Sequence, residues 1–306
     1  MKAILAYFRI VRWFNLLFIA LTQFLFYQFV YGSLNQVYDH PLSNMLYLLM
    51  FSSMLIAGGG YIINDYFDVQ IDRVNKPNKV FIDQAIKRRW AIFWHALMSF
   101  AGLIISAFIS KKTGIWTILI GNAGCVFLLW YYSTHLKKKL LWGNLAISLL
   151  TSWTIGVIYF FSGGRIFNYN YHFRYNINQY VKLVLLYSGF AFMLTLVREV
   201  VKDLEDISGD EQYGCKTMPI RWGIPASKIF AGVWLFVAAS GLTVMAFYLI
   251  QKGLLWPGLY TLFALVFPIV WITKKLKASQ KSSDFHQISN MLKVVMLAGI
   301  LSMLFF

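Results

Sequence analysis

Nine times along its 306 residues the chain runs apolar for about 20 residues. These runs lie near 14–31, 44–63, 90–110, 114–132, 141–161, 180–197, 228–250, 254–273 and 289–306. A helix of that length spans the hydrocarbon core of a bilayer, and only closed backbone hydrogen bonding survives there. With 59% hydrophobic and 13% charged residues the chain has too little polar surface to cover a water-soluble body of this size. Mean hydropathy, at +0.60, agrees. The expected fold is therefore an all-α integral membrane protein of about nine transmembrane helices. The long first run has no small-residue cleavage site after it and is expected to be an anchor rather than a removed signal.

Lysine and arginine placement orients these helices. With the N-terminus taken as cytoplasmic, the inner segments hold 21 of the 28 cations and the outer loops five; Lys182 and Lys293 stand at helix starts. Positive residues collect on the cytoplasmic side of membrane helices. The expected localisation is the cell inner membrane, with the N-terminus and the polar loops 64–89 and 198–228 cytoplasmic. The net charge of +16 is spread as such topology signals and lipid contacts, with no nucleic-acid motif, so nucleic acid is excluded as a partner. Cys125 and Cys215 form no disulfide framework, and the five histidines show no metal-ligand spacing.

Against this background nine of the twelve acidic residues fall in two clusters on the inner side: Asp65, Asp68 and Asp72, then Glu199, Asp203, Glu205, Asp206, Asp210 and Glu211. Both contain DxxDxxxD, as Asp65/Asp68/Asp72 and as Asp203/Asp206/Asp210. On a helix, offsets of three and seven residues fall within roughly 60° of each other, so each triplet would line one face. Carboxylates so placed repel unless a cation joins them. Hard oxygen ligands suit Mg²⁺, which shares carboxylates with substrate phosphates. Cations flank both clusters: Arg73, Lys76 and Lys79, then Arg198, Lys202, Lys216 and Arg221. Acids and bases together suit a diphosphate held through metal, and apolar surroundings suit a hydrocarbon attached to it. An ion-coupled transporter is the competing class, because intramembrane carboxylates mark ion paths; the fixed cations beside these acids speak against it.

These residues resemble a known family. NDYFDVQIDRVNKP is similar to the NDxxDxxxD motif of UbiA-type intramembrane prenyltransferases, and REVVKDLEDISGDEQYGCKTMPI to their second aspartate-rich motif. The resemblance extends to Arg12 and Asn15, to Tyr132 and Lys137 in YSTHLK, and to Gly143 and Asn144. After Pro77 the sequence departs from the family pattern. The resemblance implies one transmembrane prenyltransferase domain over 1–306, a helical bundle with a central cavity opening near the cytoplasmic side. It also implies Mg²⁺ as cofactor and an isoprenoid diphosphate and a lipophilic acceptor as partners, within membrane lipid. Asn64, Asp68 and Asp72, supported by Asp65, would hold one metal ion; Asp203, Asp206 and Asp210 would hold a second. Asp68, Asp72, Asp206 and Asp210 would be the catalytic carboxylates. Arg73, Lys76, Arg198 and Lys202 would contact phosphate oxygens, Tyr132 and Lys137 the leaving group, and Arg12 and Asn15 the acceptor.

Ionising an allylic C–O bond puts negative charge on the departing diphosphate, which divalent cations stabilise in the transition state. The apolar setting would exclude water from the carbocation. REVVKDLEDISGD with GCKTMPI is most similar to the digeranylgeranylglyceryl phosphate synthase branch, which implies the hydroxyl of a prenylated glycerol phosphate as acceptor. An aromatic acceptor, as in quinone or chlorophyll-type biosynthesis, is the alternative.

Overall fold

The structure, a computed structural model, describes residues 7–35, 41–77, 80–166 and 173–306. Lys2, Lys79 and residues 167–172 of the outer loop 163–179 lie outside the described residues. Among the described residues nine helices are long and apolar enough to cross a membrane. They are α1 (Trp13–Leu25, prolonged by a π-helical stretch Phe26–Tyr31 and by Gly32–Asn35), α2 (Pro41–Asn75), α3 (Arg88–Thr113), α4 (Trp116–Thr134) and α5 (Trp142–Ile166). There follow α6 (Phe173–Glu205), α7 (Met218–Gln251), α8 (Leu255–Tyr260, continued through Thr261–Val266 and Phe267–Ala278) and α9 (Ser282–Leu301). Each of the nine apolar runs has its helix.

The helices outrun the apolar windows because hydrogen bonding continues through polar ends. At 35 residues α2 is about 52 Å long, well beyond the roughly 30 Å hydrocarbon core, so its charged C-terminal third can leave the lipid as unbroken helix. The first aspartate triplet is therefore helical. The second is not on one continuous helix: α6 ends at Glu205, Asp206 takes φ −101° and ψ 11°, and a six-residue helix, Ile207–Gln212, begins afresh. Asp206, Ser208 and Gly209 are weak helix formers that compete for or free the backbone. The single-face geometry expected for Asp203, Asp206 and Asp210 is thus corrected by a helix break within the motif.

The chain forms two compact units, one comprising residues 1–136 and 153–188 and the other 137–152 and 189–306. In the first, α2 and α3 approach closely through small residues. A Cβ on Gly59 would meet Ser99 Oγ at 2.8 Å and the His95 carbonyl at 3.2 Å, and one on Gly102 would meet the Ser52 carbonyl at 3.1 Å. Small side chains allow such approach between membrane helices, where dispersion and hydrogen bonds replace the hydrophobic drive. Polar side chains reinforce it: Ser52 Oγ donates to the Gly102 carbonyl at 2.8 Å, Asn122 Nδ2 to Ser106 Oγ at 2.8 Å, and Trp153 Nε1 to Asn122 Oδ1 at 3.0 Å.

The segment after Pro77, where the family pattern lapses, also has a packing role in this unit. Val80, Ile82 and Ile86 join Ile10, Ile62, Val69 and Ala91 in one buried cluster. Asp83, at φ 71°, turns the chain between them, and its N–H donates to the Ile86 carbonyl at 2.9 Å. The loop that begins where motif one ends is thereby anchored against α2.

The second unit is organised by a helix-period stripe on α6. Val197, Val200, Val201 and Leu204, at i, i+3, i+4 and i+7, bury against Leu235 and Ala238 of α7, Ile269 and Ile272 of α8, and Ile288 and Leu292 of α9. Glu199, Lys202 and Asp203 consequently occupy the other side of α6.

Candidate active site

In the first unit the motif sits on α2. Asn64 and Asp68, four residues apart, face each other, and Asn64 Nδ2 donates to Asp68 Oδ2 at 2.7 Å. Asp68 is buried, only 4% exposed. That hydrogen bond fixes the orientation of the amide and leaves Asn64 Oδ1 buried with no hydrogen-bond partner. Buried acceptors are nearly always satisfied, so an amide oxygen with an unused lone pair beside a buried carboxylate has the chemistry to accept a donor or a cation. The donor chemistry, an amide oxygen and carboxylates, fits a hard divalent cation such as Mg²⁺.

Asp65 is held separately. Arg12 Nη2 pairs with its Oδ1 at 2.8 Å, the two side chains being 38% and 17% exposed. Arg12 takes the left-handed conformation, φ 52°, at the entry to α1, and its guanidinium lies 5.0 Å over the Tyr61 ring. Burial works against its charge, but Asp65 foremost, with Tyr61, Asp68 and Asp72, raises its pKa above the ordinary arginine value. Arg12 is thus electrostatically part of the first motif. Asn15, half-buried one turn into α1, donates its N–H to the Arg12 carbonyl at 2.7 Å.

Arg73 is exposed and turned toward Asp83 at 3.5 Å, and Arg88 pairs with the same carboxylate at 3.0 Å. The Lys76 N–H closes the end of α2 on the Asp72 carbonyl at 2.7 Å. Tyr132 lies half-buried in the last turn of α4.

The second unit repeats the amide device. Asn144 of α5 is buried and donates Nδ2 to Asp203 Oδ2 at 2.8 Å, so each motif contains a carboxylate oriented by an asparagine amide. Glu199, 8% exposed, accepts from Arg198 Nη1 at 3.0 Å and from Lys202 Nζ at 2.7 Å. Both cations assigned to phosphate from the sequence therefore share one carboxylate, while Arg198 Nε stays buried with its hydrogen unmatched. Asp210 is buried in the helix Ile207–Gln212, its carbonyl accepting the Cys215 N–H at 2.9 Å. Lys137 sits half-buried in the 3₁₀ turn Leu136–Lys138.

Among the described residues no three His, Cys, Asp or Glu side chains already converge on a point as metal ligands. Asn144 and Glu199 are the contributors for which sequence reasoning gave no role. Glu199 could have been found from its i, i+3 spacing to Lys202. Asn144 stands 59 residues from Asp203, and no local spacing announces that pair.

Comparison with known proteins turns this arrangement into an assignment. The profile of the UbiA prenyltransferase family matches residues 39–294. The chain belongs to the UbiA prenyltransferase family. Digeranylgeranylglyceryl phosphate synthase of Methanosphaera stadtmanae is 29% identical over 81% of this chain and 82% of its own length. The protein of that name from Saccharolobus solfataricus is 31% identical over 77% of each. Among solved structures, one from work on digeranylgeranylglyceryl phosphate synthase in membranes has a TM-score of 0.64 at 24% identity, covering 99% of both chains. A UbiA homolog from Archaeoglobus fulgidus bound to DMAPP and Mg²⁺ has a TM-score of 0.58 at 16% identity, covering 96% of this chain and 98% of that one. Those two likenesses are of fold. This UbiA family member is an all-α integral membrane protein and a prenyltransferase.

Proposed function

We propose that this UbiA family prenyltransferase moves a prenyl group from an isoprenoid diphosphate to the free hydroxyl of a prenylated glycerol phosphate, with Mg²⁺ as cofactor. The observation that carries the metal reading is the orphaned Asn64 Oδ1 beside buried Asp68, matched in the second motif by Asn144 and Asp203. Support for the acceptor comes from the digeranylgeranylglyceryl phosphate synthases at about 30% identity across most of their length. The Archaeoglobus fulgidus homologs bound to DMAPP or GPP with Mg²⁺ support the donor and the cofactor. In this reading the whole of 1–306 is one prenyltransferase domain with a central cavity opening on the cytoplasmic side, and the asymmetry of the cations supports that orientation.

Asn64, Asp68 and Asp72 would hold Mg²⁺ at the first motif, Asp65 being kept in place by Arg12. Asp203, Asp206 and Asp210 would serve the second. Mg²⁺, when bound, supplies positive charge where the diphosphate gains negative charge on departure. Arg198 and Lys202 are presented to the diphosphate by Glu199, and the unmatched Arg198 Nε has a donor to give. Arg73 and Lys76 supply further cations near the end of α2, Tyr132 and Lys137 contact the leaving diphosphate, and Arg12 and Asn15 orient the acceptor. The transfer releases diphosphate and the hydroxyl proton as the new C–O bond forms.

The test is turnover by purified protein offered a panel of prenyl diphosphates and acceptors. Product with a prenylglyceryl phosphate is expected; product with hydroxybenzoate or dihydroxynaphthoate and none with the glycerol phosphate would refute the acceptor assignment.

A further inference from the structure

The second unit carries an open cleft of about 400 Å³ lined by Lys139, Leu140, Lys216, Arg221 and Trp222. Its cations come from separate stretches of chain. Lys139 follows the 3₁₀ turn Leu136–Lys138, Lys216 belongs to the connector after Ile207–Gln212, and Arg221 lies in the opening turn of α7. Two of these stretches are tied directly, because the Lys216 N–H donates to the Lys138 carbonyl at 2.9 Å. The third is fixed by backbone geometry: Gly223, at φ 84° and ψ 162°, breaks α7 immediately after Trp222. Three cationic residues from separate stretches of chain thus line one concavity, their backbones held there by main-chain structure.

No carboxylate lines the cleft, and among the described residues none of the three cations forms an ion pair. This contrasts with Arg12, Arg73, Arg88, Arg198 and Lys202, each paired with an acid. Cationic residues gathered along one cleft without internal countercharge attract an external anion. Trp222, half-exposed on the rim, is the residue type that settles at the boundary between headgroups and acyl chains, with Leu140 supplying an apolar wall. Charge and rim together describe a phosphate carried on a hydrocarbon.

We infer that this cleft binds the phosphate group of a membrane lipid through Lys139, Lys216 and Arg221. Two lipids offer that chemistry, an anionic phospholipid of the same leaflet and, resting on the function proposed above, the phosphate of the prenylated acceptor. Arg221 supplies a planar fork for two phosphate oxygens and the lysines supply point charges. Each cation removed should weaken binding about fivefold.

The experiment places the protein in phosphatidylcholine nanodiscs with either brominated phosphatidylglycerol or brominated phosphatidylcholine added. Quenching of the Trp222 emission, isolated by subtracting a Trp222→Phe variant, is read in wild type and in a Lys139→Gln/Lys216→Gln/Arg221→Gln variant. Stronger quenching by the anionic lipid, lost in the triple variant, is the result expected for a phospholipid. A tenfold or greater rise in KM for the prenylglyceryl phosphate in the triple variant, exceeding any rise in KM for the prenyl diphosphate, is the result expected for the acceptor. Equal quenching by both lipids together with an unchanged acceptor KM would overturn the inference. So would a charge-preserving Lys139→Arg/Lys216→Arg variant, with Arg221 kept, that behaves like the neutral one. Absence of any product from wild type would count against the prenyltransferase reading and leave the quenching comparison intact.

Discussion

Asn144→Ala isolates the role of one hydrogen bond in the second motif. Asn144 is buried and its side chain donates to Asp203 Oδ2 at 2.8 Å, so the substitution removes an orienting amide without touching a carboxylate. A hydrogen bond to a charged group is worth about 1.5–3 kcal/mol, which corresponds to roughly 10- to 150-fold in an equilibrium that depends on it. Removing a partner that orients a metal-binding group typically lowers metal affinity about 10- to 100-fold. The Mg²⁺ concentration for half-maximal turnover should therefore rise by one to two decades. Maximal rate at saturating Mg²⁺ should fall less. Asp203 is not fully buried and water can take the vacated place, so the melting temperature in detergent should drop only by the equivalent of about 1 kcal/mol. A magnesium titration of product formation decides the matter. Half-saturation within twofold of wild type, in a protein that elutes and melts normally, would refute the claim that Asn144 orients a metal-binding carboxylate.

Asp68→Ala and Asp206→Ala should each abolish Mg²⁺-dependent turnover while leaving the detergent-solubilised protein folded; unchanged turnover in both would contradict the metal assignment. Gly59→Ala should destabilise by about 1–3 kcal/mol, because the new methyl meets Ser99 Oγ at 2.8 Å and the His95 backbone at 3.2 Å, which a thermal melt in detergent will register. Gly124→Ala has no atom within 4 Å of the new methyl and should leave the melt unchanged or raise it slightly.

The nine membrane-length helices among the described residues were legible from the sequence, since an apolar run of crossing length has few other ways to satisfy its backbone. Asn64 and Asp68 were equally legible: four residues on one helix are neighbours whatever else the chain does. The same periodicity misled at Asp203, Asp206 and Asp210, where weak helix formers end α6 inside the motif. Spacing rules hold only while the helix does.

What the sequence alone decided was the medium, the helix count, and which residue types cluster at one end of α2 and of α6. What only tertiary structure decided was pairing at a distance: Arg12 on Asp65, 53 residues away, and Asn144 on Asp203, 59 away. The same holds for the docking of Val80, Ile82 and Ile86 beside Ile62, and for the convergence of Lys139, Lys216 and Arg221. The physical reason is that hydropathy and helical period act over one or two turns. Hydrogen bonds and ion pairs between helices depend on which faces pack together, and that is set by close approaches such as Gly59 against Ser99 rather than by any local pattern.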